Sequence, residues 1–518
     1  MKKIKYIALS LLTLGMVACE NELVDDLRER NNNDTPLPEL TAGTADFSNY
    51  VAIGASFTAG YTDSGLFIAG QEDSFPNTLA KQFANAGGGT FTQPLMNDNF
   101  GGLIVGGNPV IHPVTGDRLF TERLVFGGAG PVPLQSINPT AMSTTDFALN
   151  NPTGPFNNLG VPGAKSFHLV APGYGNISNF PAAANPYAVR LTGNAPNASI
   201  LELAIDQAPT FFTLSEIGGN DVLGYATTGG DGTDPITDTA TFDASLNAIV
   251  AGLTSNGSKG VIGNLPNITS FSHFTTVPHN PIPLDAATAG FLNSAAAYGA
   301  YNAGIVQAFA FLVANTPMTQ EMADAEITKR TISFAAGEGN AVVIMDENLT
   351  DLTALNPALV SMRQATSGDL LVLPSSSFIG TEAIPGNPQT VNGVAIPLAD
   401  KWVLTPQEQE EIAIATEAFN ASILSVANAN GLALVDLNSI LEEASSTGIM
   451  FDDFNMNTDL VFGGLVSLDG VHLTARGYAL MANSFLQAID DTYGSNFVAS
   501  GNVAKAGDFP TNYSPLLQ

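Results

Sequence analysis

Residues 50–56 read Tyr-Val-Ala-Ile-Gly-Ala-Ser. Tyr50 to Ile53 form a short apolar run suited to a buried strand, and Gly54 turns the chain out of it. Ser56 therefore falls at the carboxyl end of a strand, where open α/β sheets gather their ligands. The pattern recurs downstream. Phe211-Phe212-Thr213-Leu214 leads into Gly218-Gly219-Asn220-Asp221, Gly260-Val261-Ile262-Gly263 into Asn264-Leu265-Pro266, and Leu432-Ala433-Leu434-Val435 into Asp436. Helical patterning lies between and around these runs, at 75–83 with Pro76 in the first turn, 242–254, 437–444, and from Thr474 to about Tyr493. Strands alternating with helices predict a parallel α/β sheet.

Two stretches stand outside that rhythm. Residues 86–155 are rich in Gly, Pro and Asn and predict few regular elements. Residues from about 270 to 402 exceed what such a core needs and are expected to be an insertion flanking the site. Within it 291–315 is an alanine-rich helix candidate and Val342-Val343-Ile344 a strand candidate. Its apolar and proline-bearing loops are expected to reach the mouth of the cleft. Helical patterning returns from Trp402 to about Asn430, with Thr405-Pro406 as its start.

The amino terminus has the layout of an export signal. Lys2, Lys3 and Lys5 precede an apolar run from Tyr6 to Ala18 that is short for a membrane span, and Met16-Val17-Ala18-Cys19 resembles the bacterial lipobox, in which the cysteine after the cut is acylated. Cys19 is thus the expected lipid attachment, and the resemblance implies a bacterial cell-envelope location, at the outer membrane or the cell surface. As the only cysteine of the chain it excludes an internal disulfide and a cysteine metal cluster. The first 18 residues carry three of the 17 basic side chains and none of the 48 acidic ones, so the net charge of −31 becomes −34 after cleavage. Nucleic acid is excluded as a partner by such a surface. The expected organisation is a signal at 1–18, a polar tether at 19–46, a catalytic domain at 47–492 carrying the insertion, and a tail at 493–518. No further run is apolar enough to predict a spanning helix.

Three segments carry chemistry. Ser56 needs a base to become a nucleophile, and of the five histidines only His472 has a carboxylate placed to orient it: Asp469 precedes it by three residues in Asp469-Gly470-Val471-His472-Leu473-Thr474. Asn220, after two glycines at a strand end, can aim an amide at a developing oxyanion. Gly163, in Asn158-Leu159-Gly160-Val161-Pro162-Gly163-Ala164, lets backbone approach a substrate, and the Ser56 amide is a third donor. Each donor of this kind is worth ~10²–10³ in rate. His112, His168, His273 and His279 are expected in loops or on the surface.

In order along the chain, Gly54-Ala55-Ser56-Phe57, Gly163, Gly218-Gly219-Asn220-Asp221 and Asp469 to His472 resemble the four sequence blocks of the GDSL esterase and lipase family, the SGNH hydrolases. The first block departs from GDSL, with Ala55 for Asp and Phe57 for Leu. The resemblance covers about 50–270 and 402–492. It implies a flavodoxin-like three-layer α/β/α core with a parallel sheet, and cofactor-free hydrolysis of carboxylic esters, lipid or acylated carbohydrate, through an acyl-enzyme. Ser56 would be nucleophile, His472 base, Asp469 its orienting acid, and the Ser56 amide, Gly163 and Asn220 the oxyanion donors.

No metal site is expected. The acidic loop Gly229 to Asp243 fails the EF-hand pattern, because the twelfth residue from Asp231 is Phe242. A zinc HExxH, a phosphate loop and a GxSxG elbow are all missing. The alternative reading is a surface lipoprotein that binds a ligand in the same cleft without turning it over.

Overall fold

The computed structural model describes residues 36–518. The signal, Cys19 and the tether up to residue 35 lie outside the described residues. Five strands form one sheet: β1 (Tyr50–Gly54), β2 (Asn158–Gly160), β3 (Phe211–Ser215), β4 (Lys259–Gly263) and β5 (Ala433–Val435). Every pairing is parallel and the order is β2-β1-β3-β4-β5. The chain winds outward from β1 in both directions, so a crevice opens between the loops that follow β1 and β3.

Helices flank this sheet: α1 (Ser56–Ala59), α2 (Phe75–Asn85), α3 (Gly219–Thr227), α4 (Thr239–Thr254), α5 (Pro406–Asn430), α6 (Leu437–Ser446) and α7 (Ala475–Tyr493). They fall into two packing groups. Helix α2 packs on α7, while α4 packs on α5. The two faces of β3 supply both groups, because neighbouring strand residues point to opposite sides. Phe211 enters a ring cluster with Phe47 and Phe83, centroids 4.8 and 5.6 Å away. Phe212 lies against β4 where Gly260 has no side chain; a Cβ there would sit 2.5 Å from the ring. Beyond it, Phe242 of α4 stacks on Phe419 of α5 at 4.1 Å.

Capping chemistry sets the helix ends. Thr405 and Glu408 form a reciprocal capping box at the start of α5, and the Thr474 hydroxyl accepts the Gly477 amide at the start of α7. Helix α5 is long and apolar enough by composition to cross a membrane. Ile412, Phe419 and Ile423 are nevertheless buried against the sheet's core.

Order begins before Tyr50. The Thr41 amide donates to Asn496 Oδ1 and the Thr44 amide to the Tyr493 carbonyl, each at 2.8 Å or less, tying the end of the tether to the end of α7. The tail 493–518 also joins the main core, through Phe497, Ala506, Phe509 and Tyr513.

Residues between Val277 and Val403 build a second hydrophobic cluster of their own. Its short strands Val343–Met345 and Met362–Gln364 pair antiparallel, and Arg363 bridges Asp346 and Asp369 at 2.5 and 2.7 Å. The single helix expected at 291–315 is instead two, Ala286–Leu292 and Tyr298–Asn315. Asn293 breaks it: its side-chain amide exchanges two hydrogen bonds with the Phe334 backbone, at 2.7 and 2.9 Å, drawing the chain out of the helical path. Trp402 packs against both clusters and forms the seam between them.

Candidate active site

Ser56 opens the four-residue helix α1 directly after β1. It is 7% exposed and lines a cleft of about 580 Å³. Gly163, Asn220 and His472 line the same cleft. Residues more than four hundred positions apart thus share one wall of solvent-accessible space. The loop of Gly163 follows β2, an edge strand the sequence did not reveal because Asn158-Leu159-Gly160 is too short and polar for any period to register.

Asp469 stands behind His472, its Oδ2 2.9 Å from the imidazole Nδ1. Oδ1 accepts the backbone amides of Val471 and His472, and Oδ2 also accepts the Ser64 amide at 2.8 Å. Burial by itself would raise this carboxyl. The neighbouring His472 and the backbone donors outweigh it and hold Asp469 well below the usual carboxylate range. An ionised acceptor on Nδ1 leaves Nε2 as the imidazole nitrogen free to act as base.

The loop that carries the pair is held on several sides. Gly470 has φ +79°, and a Cβ there would lie 2.7 Å from the His273 backbone nitrogen, so this turn needs glycine. Asp63 and Ser64 both adopt positive φ, 54° and 61°, which turns the Ser64 amide toward Asp469. Strained non-glycine turns of this kind cluster at working sites. The imidazole itself sits among rings, 4.6 Å from Tyr61 and 5.8 Å edge-on from Phe57. Phe57 is thus a packing partner of His472.

The donor positions have matching geometry. Among the described residues, the backbone amides of Ser56 and Gly163 have no intramolecular acceptor. Asn220 uses one side-chain hydrogen on the Ala164 carbonyl at 3.0 Å, which fixes its amide beside the Gly163 loop. Three donors therefore border the cleft in which Ser56 lies.

Glu216 was not foreseen. It is 8% exposed, adopts φ +49°, and its Oε1 accepts the amides of Phe57 and Thr58 at 2.7 and 3.4 Å. Burial, only partly offset by these bonds, raises its carboxyl to about 8. It underpins the turn that presents Ser56. The signal was weak, a single acid between an apolar strand and a glycine pair.

Three expectations fail. His168 is no surface histidine: it stacks on Tyr174 at 4.6 Å and lines the cleft, with Nδ1 accepting the Lys165 amide. His273 is also held inside, with Nδ1 3.3 Å from the Asp469 carbonyl. The inserted segment does not line the cleft either. The cleft walls come mostly from residues 119–187, Leu119, Phe120, Tyr174, Phe180 and Tyr187 among them. The segment packs behind the histidine loop instead, where the His273 amide donates to the Gly470 carbonyl at 2.9 Å.

No family model matches the chain, and neither does any curated protein or solved structure.

Proposed function

We propose that the protein is a serine ester hydrolase of the GDSL/SGNH type, with the flavodoxin-like three-layer core that this family implies. The observation that carries the reading is the meeting of Ser56, the Asp469–His472 pair and three oxyanion donors in one cleft. Ser56 Oγ attacks the ester carbonyl as His472 takes its proton, and the tetrahedral oxyanion is received by the Ser56 and Gly163 amides and the Asn220 side chain. His472 then protonates the leaving alcohol. Water repeats the cycle on the acyl-enzyme. Asp469 keeps the imidazole in the useful tautomer and supports its charged form.

The cleft walls favour an apolar or ring-bearing acyl or alcohol group, since Phe120, Tyr174, Phe180 and Tyr187 present rings to it. With Cys19 as the proposed anchor, the reading takes lipids or acylated carbohydrate at the bacterial envelope as the substrates. Purified protein should label covalently with a fluorophosphonate and hydrolyse at least one of a panel of short-chain, long-chain and acetyl-sugar esters. Folded wild type that does neither overturns the reading.

A further inference from the structure

At the other end of α3 from Asn220, where the inserted segment meets the helices on the sheet, three carboxylates converge. Glu347, Asp400 and Glu408 each place one oxygen within 4.8 Å of the other two. Glu347 and Asp400 belong to the inserted segment, and Glu408 to the first turn of α5. The site is assembled from three separate stretches of chain.

Glu408 is 2% exposed. Its Oε2 is occupied by the amide and hydroxyl of Thr405, at 2.6 and 2.9 Å, whereas Oε1 is buried with no protein partner. Asp400 Oδ1 is likewise buried and without a partner. Among the described residues no ion pair involves any of the three, and the nearby Lys401 ammonium lies over the Trp402 ring. Orphaned carboxylate oxygens facing like charges are costly to bury, and a bound cation removes both penalties. Burial first, then the neighbouring acids, raise Asp400 to about 7 and Glu408 to about 8.

We propose that Glu347, Asp400 and Glu408 form a calcium site that clamps the inserted segment to the helical layer of the sheet. The donors are all carboxylate oxygens, the preference of a hard cation, and the only cysteine lies outside the group. Calcium takes carboxylate oxygens in a flexible geometry, which suits donors brought together from separate stretches of chain, one of them exposed, whereas magnesium at ~2.0–2.1 Å demands a near-ideal octahedron and keeps several waters. The loop after α3 closes over the site. A Cβ at Gly230 would collide with Glu408 Oε1, and one at Gly229 with the Asp400 carbonyl. The acidic loop that fails the EF-hand pattern thus borders a cation site drawn from elsewhere in the chain. Because Glu347 is exposed, the affinity belongs to the weak range of extracellular modules, ~10⁻⁴–10⁻³ M.

Trp402, the only tryptophan, is two residues from Asp400 and makes a built-in reporter. Chelator-treated full-length protein is titrated with terbium under selective tryptophan excitation, and the bound terbium is then displaced with calcium or magnesium. Saturable luminescence displaced by calcium with Kd ~10⁻⁴–10⁻³ M is expected, with magnesium at least ~10-fold weaker. Asp400→Asn and Glu347→Gln should each weaken binding ~10-fold or more, and calcium should raise the melting midpoint of wild type but not of the double variant. Glu347→Gln, at an exposed position, keeps the test usable if Asp400→Asn fails to fold, while Glu321→Gln, also exposed but outside the group, should leave binding unchanged. Absence of saturation by ~10 mM calcium, equal displacement by magnesium, or binding unaffected by Glu347→Gln would overturn the site.

Discussion

Glu216 accepts the backbone amide of Phe57 at 2.7 Å from within the core, so a buried acid holds the turn that presents Ser56. Its carboxyl, raised by burial to about 8, binds its proton more tightly folded than unfolded. Stability from this group is therefore full below about pH 4.5 and is lost as pH rises through about 8. The loss is on the order of a few kcal/mol. Glu216→Gln should flatten that decline between about pH 5 and 9 in denaturant titrations while keeping an acceptor for Phe57, with kcat within several-fold of wild type. Glu216→Ala leaves a buried amide unpaired, at about 1–3 kcal/mol, and should lower kcat more than it raises KM.

The catalytic set is tested by its non-additivity. Ser56→Ala and His472→Ala should each remove nearly all ester hydrolysis, and the double variant should be no worse than either. Asn220→Ala should cost about 10²–10³ in kcat. Asp469→Asn should cost ~10⁴ with the fold retained by circular dichroism. The Val471 and His472 amides would keep the Asn oxygen, turning its NH2 toward Nδ1 and selecting the wrong tautomer. Wild-type kcat in a folded Ser56→Ala protein would eliminate the mechanism.

Selectivity should follow the cleft walls rather than the inserted segment. Phe120→Ala or Phe180→Ala should change the ratio of kcat/KM between long and short acyl esters by ~10-fold or more. Removal of 380–390 should leave that ratio unchanged, because none of it lines the cleft and its flanks, Ile379 and Val391, pack on the second hydrophobic cluster instead. A shift of the same size from the loop deletion, with Phe120→Ala silent, would reverse the assignment.

Cys19 is the proposed anchor. Cys19→Ala should move the protein from the membrane to the soluble fraction of cells and remove incorporated radiolabelled acyl chains. Membrane retention after high-salt washing of the variant would show another attachment.

Local pattern determined much of this protein. Tyr50–Gly54, Phe211–Ser215 and Lys259–Gly263 were legible because strands buried on both faces read as unbroken apolar runs. Helices α5 and α7 were legible because Thr405-Pro406 and Thr474 place caps before long periodic stretches. Asp469 and His472 could be paired because three residues in a glycine turn are a local distance. What needed tertiary structure was whatever depends on contacts between distant segments. The edge strand Asn158–Gly160 exists only because β1 pairs with it, and Asn293 breaks its helix only because Phe334 offers a backbone. Glu216 under Ser56, and Glu347 and Asp400 beside Glu408, share no spacing that a linear pattern can encode. Burial and convergence alone give those acids their chemistry, and both arise from the path of the whole chain.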